Sequence, residues 1–149
     1  MFGVGSVPKA LLPTLKKEGI VVMDEGMPGQ FITRRVNGPQ KRFRARVEGF
    51  SGSLVVTTKR VVCHTYGKRQ INISTEDPKI SELHIDAPDP KTLSIFFESS
   101  VFRKGWSGKI EFRFKTEKTP LFCDSLLSIG ARQGTAPNAH SATRQEHDL

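Results

Sequence analysis

The stretch KRFRARVEGFSGSLVVTTKRVV, residues 41–62, contains the pattern that decides the fold. In residues 41–48, apolar side chains alternate with arginines, and this period of two predicts a β-strand with two different faces. Residues 53–58 and 60–66 are apolar and rich in β-branched side chains, and they predict two further strands separated by Lys59. The stretch therefore predicts a series of short antiparallel strands.

The same pattern continues on both sides of this stretch. Gly49 and Gly52 predict a turn, the segment 27–30 predicts another, and the pair Asn37-Gly38 predicts a hairpin. Strand-like patterns also occur at residues 20–22, 31–36, 71–73, 80–86, 92–98 and 109–115. We expect about seven strands in total.

Two segments have helical spacing instead. Residues 8–18 carry leucines on one side, and Pro13 limits them to a short or broken helix. Residues 119–129 place Phe122, Leu126 and Ile129 in one apolar stripe, with Thr119 as the expected N-cap. A helix that follows the last strand can bury this stripe in the open end of a bent sheet. The sequence therefore predicts a mainly β fold, a bent antiparallel β-barrel with a C-terminal capping α-helix.

One segment also resembles a known family. From Phe50 to Val62, a glycine precedes an apolar strand, a threonine-rich turn carries the pair Lys59-Arg60, and a second apolar strand follows. This arrangement is similar to GRAM and bacterial PH-like domains, and the resemblance covers roughly residues 10–130. It implies the pleckstrin-homology (PH) superfold, with the helix at 119–129 as its capping helix, and it implies a phosphoinositide as one possible ligand.

Length and composition set the outer limits of the prediction. The 149 residues favour one domain, at residues 10–130, with a flexible N-terminus at 1–9 and a disordered, apolar-poor tail at 131–149. No leader or long apolar stretch is visible, so we expect a cytoplasmic protein, either free or peripheral to a membrane. Cys63 and Cys123 are too few for a disulfide framework, and we expect both to be packed thiols.

The positive charge is concentrated in one part of the chain. The formal net charge is +8, yet residues 31–70 contain ten lysines and arginines and the single acid Glu48, which sums to +9. On the strand at 41–48 the arginines share one face at intervals of about 7 Å. Guanidinium groups at that spacing are suited to binding phosphates. The predicted ligand-binding residues are Arg42, Arg44, Arg46, Lys59 and Arg60.

Several partners fit such a surface. We rank the anionic headgroups of membrane lipids first, because each nearby base contributes on the order of 1 kcal/mol to adsorption. The alternative is a protein-interaction or oligomerisation scaffold, in which a sheet edge accepts another chain. Nucleic acid ranks third, because few exposed aromatic residues accompany the bases. The bases could also form only a solvated sheet face.

Catalysis finds little support in the sequence. His64, His84, His140 and His147 are scattered, and no nucleophile and base pair is legible, so we expect a binding module without catalytic residues or cofactor. Glu82, His84 and Asp86 share a strand face and are interpreted as its solvent side, not as a metal site.

One loop is unusual because it combines aromatic and basic residues. The segment 99–108 places Phe102 and Trp106 beside Arg103 and Lys104. These aromatic rings either insert at a lipid headgroup boundary or close the base of the barrel.

Overall fold

The computed structural model describes the backbone of residues 5–37 and 42–136, and the side chains of these residues except 35–37 and 42–45. The described elements are α1 (Leu12–Glu18), β1 (Ile20–Asn37), β2 (Arg42–Thr57), β3 (Arg60–Thr65), β4 (Lys68–Ser74), the 3-10 helix η1 (Pro78–Glu82), β5 (His84–Asp89), β6 (Thr92–Glu98), the 3-10 helix η2 (Ser99–Val101), β7 (Ser107–Lys115), α2 (Thr119–Ser128) and β8 (Arg132–Gln133).

The strands form one curled half-barrel sheet. Within the described residues it has eight strands in the order β4-β3-β2-β1-β7-β6-β5-β8, where about seven were predicted. Neighbouring strands are antiparallel except β5 and β8, which are parallel. The mainly β fold with a helix after the long strands is therefore confirmed.

Strands β1 and β2 are longer than predicted, because both run through segments that the sequence assigned to turns. Gly29 lies opposite Phe50 in the β1/β2 register, and a Cβ at Gly29 would stand 2.7 Å from the Phe50 ring. A Cβ at Gly52 would stand 2.7 Å from the carbonyl oxygen of His64. These glycines make room for a core ring and for close strands. The predicted Asn37-Gly38 turn falls on residues 38–41, which lie outside the described residues.

The inner face of the sheet holds the main core. Phe50 packs edge-on against Phe114 with ring centroids 5.4 Å apart, and α2 adds Phe122 and Leu126 to the same cluster. Burial of these two α2 side chains stabilises the fold by roughly 3 to 6 kcal/mol. The predicted apolar stripe is confirmed, but Thr119 is not the N-cap: Lys118 precedes the helix, and the Thr119 hydroxyl donates to the carbonyl oxygen of Thr116.

Helix α1 packs on the opposite, outer face. Leu15 and Val7 join Val55 of β2 and Val62 of β3 in a second apolar cluster. Pro13 lies in the first turn of α1, where its missing N–H removes no hydrogen bond, so it does not break the helix.

The packed part of the chain extends past the predicted ends of the domain. Val7 is buried, and its N–H donates to the Glu25 carboxylate at 2.7 Å. Strand β8 pairs with β5 through the Arg132 N–H and the Leu83 carbonyl oxygen. Residues 78–82 form η1 instead of the start of the predicted strand 80–86, because Asp77 caps the N–H of Lys79. Residues 1–4 and 137–149 lie outside the described residues.

Candidate functional site: a basic sheet end

The structure divides the predicted ligand-binding residues between the two ends of β2. Arg46 lies near the start of this strand, whereas Lys59 and Arg60 follow its last residue, Thr57. The eleven residue steps from Arg46 to Thr57 span about 36 Å along the strand. We call these regions the hairpin end, where β1 finishes and β2 begins, and the turn end, where β2 passes into β3. The predicted set therefore does not form one cluster.

At the turn end, Arg60 forms an internal ion pair. Its Nε and Nη2 atoms donate to both carboxylate oxygens of Glu18, the last residue of α1. The two side chains are only 24% and 11% exposed. The guanidinium beside Glu18 lowers the pKa of that carboxyl, and Glu18 in turn raises the pKa of Arg60. Arg60 thus attaches α1 to the sheet.

Thr57 and Thr58, in the turn between β2 and β3, also bind Glu18. The Thr57 hydroxyl donates to Glu18 at 2.9 Å and accepts the backbone N–H groups of Lys59 and Arg60. The Thr58 hydroxyl donates to the backbone carbonyl oxygen of Glu18. The motif Thr-Thr-Lys-Arg therefore builds a junction between α1 and the β2/β3 turn. Thr58 and Lys59 are the exposed residues of this motif, and Lys59 is its exposed cation.

At the hairpin end, three strands meet. Asn37 of β1 pairs with Arg42 of β2 on one side and with Ser107 of β7 on the other. Arg46 pairs with Thr33, which pairs with the core residue Ile110, so Arg46 lies in an inner-face row.

Arg46 lies at the exposed start of β2. The Arg46 side chain is 54% exposed and forms an ion pair with Glu48 at 2.8 Å. Positions 42 and 44 share the face of Arg46 by strand alternation. The side chains of Arg42 and Arg44 lie outside the described residues.

The loop between η2 and β7 lies at the same end, because Ser107 follows it directly. Phe102 packs edge-on against Phe97 with ring centroids 5.1 Å apart, and Trp106 also packs partly buried against the main core. The Arg103 guanidinium stands 5.2 Å from the centre of the Trp106 ring. The sequence left two interpretations of this loop. The packing of Phe102 and Trp106 favours the one in which these aromatic rings close one end of the sheet. Arg103 and Lys104 are exposed beside them.

A buried acid lies on the outer face behind this end. Glu111 is fully buried and accepts from Arg34 at 3.1 Å, from Arg113 at 2.5 Å and from the Ser94 hydroxyl at 2.6 Å. A buried carboxylate requires such partners, since an unpaired one would be costly. The Arg34 guanidinium therefore pairs with Glu111 within the sheet and is not available as a surface cation.

Three further titratable groups have pKa values that are shifted by their surroundings. Burial raises the pKa of the Cys63 thiol far above its ordinary range, so this cysteine is a packed apolar residue. Burial and nearby Arg69 lower the pKa of His64, which lies on the opposite sheet face from Cys63. Cys123 packs against the core as predicted, and its pKa is raised mainly by burial.

Metal ligands and membrane helices are not found in the part of the chain that the structure describes. No three His, Cys, Asp or Glu side chains there stand close enough to hold a metal ion together. None of the helices described there is both long and apolar enough to span a membrane. His140 and His147 lie outside the described residues.

Sequence reasoning missed a second group of bases. Lys79 of η1, Lys109 of β7 and Arg132 of β8 line one groove together with His84 and Phe96. They come from three distant segments, so no local spacing marks them, and only the strand order brings them together.

No protein-family model matches this chain, and none of the curated proteins matches it either.

Proposed function

We propose that this chain is a non-catalytic binding module with a PH-like fold, which attaches to anionic phospholipid headgroups through the hairpin end. One observation carries the proposal. Asn37 of β1 pairs with Arg42 on one side and with Ser107 on the other. This register brings the start of β2, which contains arginines, to the same end as the loop that carries Arg103 and Lys104. Bases from two separated segments thus share one end of the sheet.

The contrast in charge pairing supports this placement. At the turn end, the Arg60 guanidinium is held by the Glu18 carboxylate of α1. At the hairpin end, Arg103 and Lys104 are exposed, and neither is within ion-pair distance of an acid in the described part of the chain. Such side chains approach a negative surface without first breaking an internal salt bridge.

The PH-like part of the proposal has its own support. Strands β1 to β7 form a continuous curled sheet, and α2 follows the last of them and fills the inner face with Phe122 and Leu126. This is the arrangement that the resemblance at residues 50–62 implies. The threonine-rich turn, which carries that resemblance, is used here to hold α1.

Electrostatic adsorption at this end is large enough to matter. Each lysine or arginine close to an anionic leaflet contributes about 1 kcal/mol, and the effect falls within a Debye length. Arg46, Arg103 and Lys104 together therefore contribute about 3 kcal/mol before the acids nearby are considered. Trp106 lies at the same end, beside Arg103 and partly buried against the core.

Co-sedimentation with vesicles tests the proposal. The full chain is mixed with vesicles of phosphatidylcholine alone, with vesicles that also contain phosphatidylserine, and with vesicles that also contain a phosphoinositide. We expect binding only to the two anionic compositions and weaker binding at high salt. A preference for the phosphoinositide at equal charge identifies the phosphate headgroup as the ligand. Equal binding to neutral vesicles, or binding to none, contradicts the proposal.

A charge-matched pair of variants locates the contact. The double variant Arg46→Glu with Lys104→Glu reverses two exposed bases at the hairpin end, and we expect it to lose at least about tenfold in vesicle affinity. The control, Lys17→Glu with Lys59→Glu, makes the same change in net charge at the turn end, and we expect less than threefold loss. An equal loss in both variants means that net charge alone binds the vesicles.

The alternative of an oligomerising scaffold has a weaker basis. Strand β4 is the longer of the two edge strands of the described sheet, and another chain would pair there. It carries the exposed bases Lys68 and Arg69, and charged side chains on an edge discourage pairing between sheets. Light scattering of the eluted protein distinguishes the two, because lipid binding requires only a monomer.

A further inference from the structure

A groove of about 660 Å³ lies between η1 and the β5/β6 pair, and it is lined from both faces of the sheet. Its volume falls within the range of small-molecule sites, which is about 300 to 1,000 Å³. It is separate from Arg46 of β2, which is not among the residues that line it.

The floor of this groove is a fixed pair of rings. His84 and Phe96 are directly opposite in the β5/β6 register, and their rings are stacked with centroids 5.4 Å apart and planes at 19°. The backbone of Gly134 holds the Phe96 ring from one side, since a Cβ at that glycine would lie 2.7 Å from its Cζ atom. A planar ligand ring can therefore add to a stack that is already formed.

Three cations surround these rings. Lys79, Lys109 and Arg132 are all exposed and line the groove from η1, β7 and β8. In the part of the chain that the structure describes, none of them forms an ion pair. Their N–H groups are thus available to an anionic ligand group.

Two acids limit the charge that the groove accepts. Glu82 and Glu98 line the same space, so its five charged side chains sum to +1. This balance suits a ligand with one phosphate and disfavours a polyphosphate, whose further charges would approach the carboxylates. The acids also offer acceptors for hydroxyl or amino groups of the ligand.

We propose that this groove binds a planar heteroaromatic ring that carries one phosphate group, as in a nucleoside monophosphate. The ring stacks on the His84 and Phe96 pair, and the phosphate is held by Arg132 with Lys79 and Lys109. This proposal does not depend on the membrane attachment of the hairpin end, and either one can fail without the other.

Titration with adenosine monophosphate, followed by calorimetry and by amide NMR shifts, tests the groove. We expect saturable binding, with shifts concentrated at His84, Phe96 and Arg132. Adenosine supplies the ring without the phosphate, and inorganic phosphate supplies the anion without the ring; each should bind at least tenfold more weakly. Equal affinity for adenosine or for phosphate, or the absence of saturable shifts in these residues, overturns the proposal.

Surface variants keep the test independent of folding. Arg132→Gln and Lys109→Gln change exposed side chains, and each should weaken binding of the monophosphate at least fivefold. Phe96→Leu tests the stack, and its folding is checked by its NMR spectrum. The matched control Arg103→Gln removes a cation outside the groove and should leave the affinity unchanged. If Arg103→Gln weakens binding as much as Arg132→Gln does, the ligand is not in this groove.

Discussion

The two ends of β2 use the same type of residue in opposite ways. At the turn end, Arg60 is bound to the Glu18 carboxylate and to the structure around it, so its charge holds α1 on the sheet. At the hairpin end, Arg46 is about half exposed, and Arg103 and Lys104 are exposed in the adjoining loop. The comparison teaches that the number of bases in a segment does not show how many of them face a ligand.

Loss of Arg60 should give the largest effect on stability. Arg60→Ala leaves the mostly buried Glu18 carboxylate without its charged donors, and we expect it to cost about 3 kcal/mol in the free energy of unfolding. Lys59→Ala, which changes the exposed neighbour, should cost less than about 0.5 kcal/mol. Urea denaturation of both variants measures the difference. Similar urea midpoints for the two variants would mean that the ion pair between Arg60 and Glu18 does not stabilise the fold.

Low pH should weaken the contact between Arg60 and Glu18, but it should cost less stability than the Arg60→Ala substitution does. The Arg60 guanidinium lowers the pKa of Glu18 below its ordinary value of 4.5 in the folded state. Stability from this contact is therefore complete above pH 4.5 and is lost as the pH falls through the lower folded pKa. Urea midpoints between pH 6 and pH 3 should fall less steeply in Glu18→Gln than in the parent. Parallel curves for the two proteins would contradict this assignment.

The cation above Trp106 should contribute a smaller amount. Arg103→Ala removes the guanidinium that lies 5.2 Å from the indole centre, and we expect a loss of about 0.5 to 1 kcal/mol in stability. Thermal denaturation measures it, with Lys104→Ala as the control for the adjacent exposed base. A loss as large as that of Arg60→Ala would remove the distinction between the two ends.

The smallest effect is expected at the exposed pair of β2. Glu48→Gln breaks its ion pair with Arg46, and surface pairs of this kind contribute about 0 to 1 kcal/mol. The same change removes an acid from the hairpin end, so vesicle binding should become tighter even though stability hardly changes. Weaker vesicle binding in Glu48→Gln would show that the pair orients Arg46 for the ligand.

The sheet and its closing helix could be predicted from the sequence because period-two and helical spacing are local signals. The alternation at residues 109–115 and the stripe of Phe122 and Leu126 both correspond to buried residues of the main core. Gly29 and Gly52 were assigned to turns because a glycine that accommodates the Phe50 ring looks identical in sequence to one that ends a strand.

The candidate sites depend on contacts that are distant along the chain. Arg60 and Glu18 are separated by 42 residues, so the sequence showed a basic turn without the acid that binds it. The burial of Glu111 was hidden for the same reason, since Arg34 comes from a different strand. The run of lysines and arginines therefore predicted which segment is basic. Only the strand order shows which bases lie exposed together at one end of the sheet.

The most direct measurement of the central claim uses the fluorescence of Trp106, the only tryptophan in the chain. Anionic vesicles that carry a nitroxide on the lipid headgroup are added to the full chain, with nitroxide-bearing neutral vesicles as the control. Attachment through the hairpin end predicts strong quenching with the anionic vesicles and little quenching in the Arg46→Glu, Lys104→Glu variant. Protein that sediments with the anionic vesicles while its Trp106 emission remains unquenched would contradict that attachment.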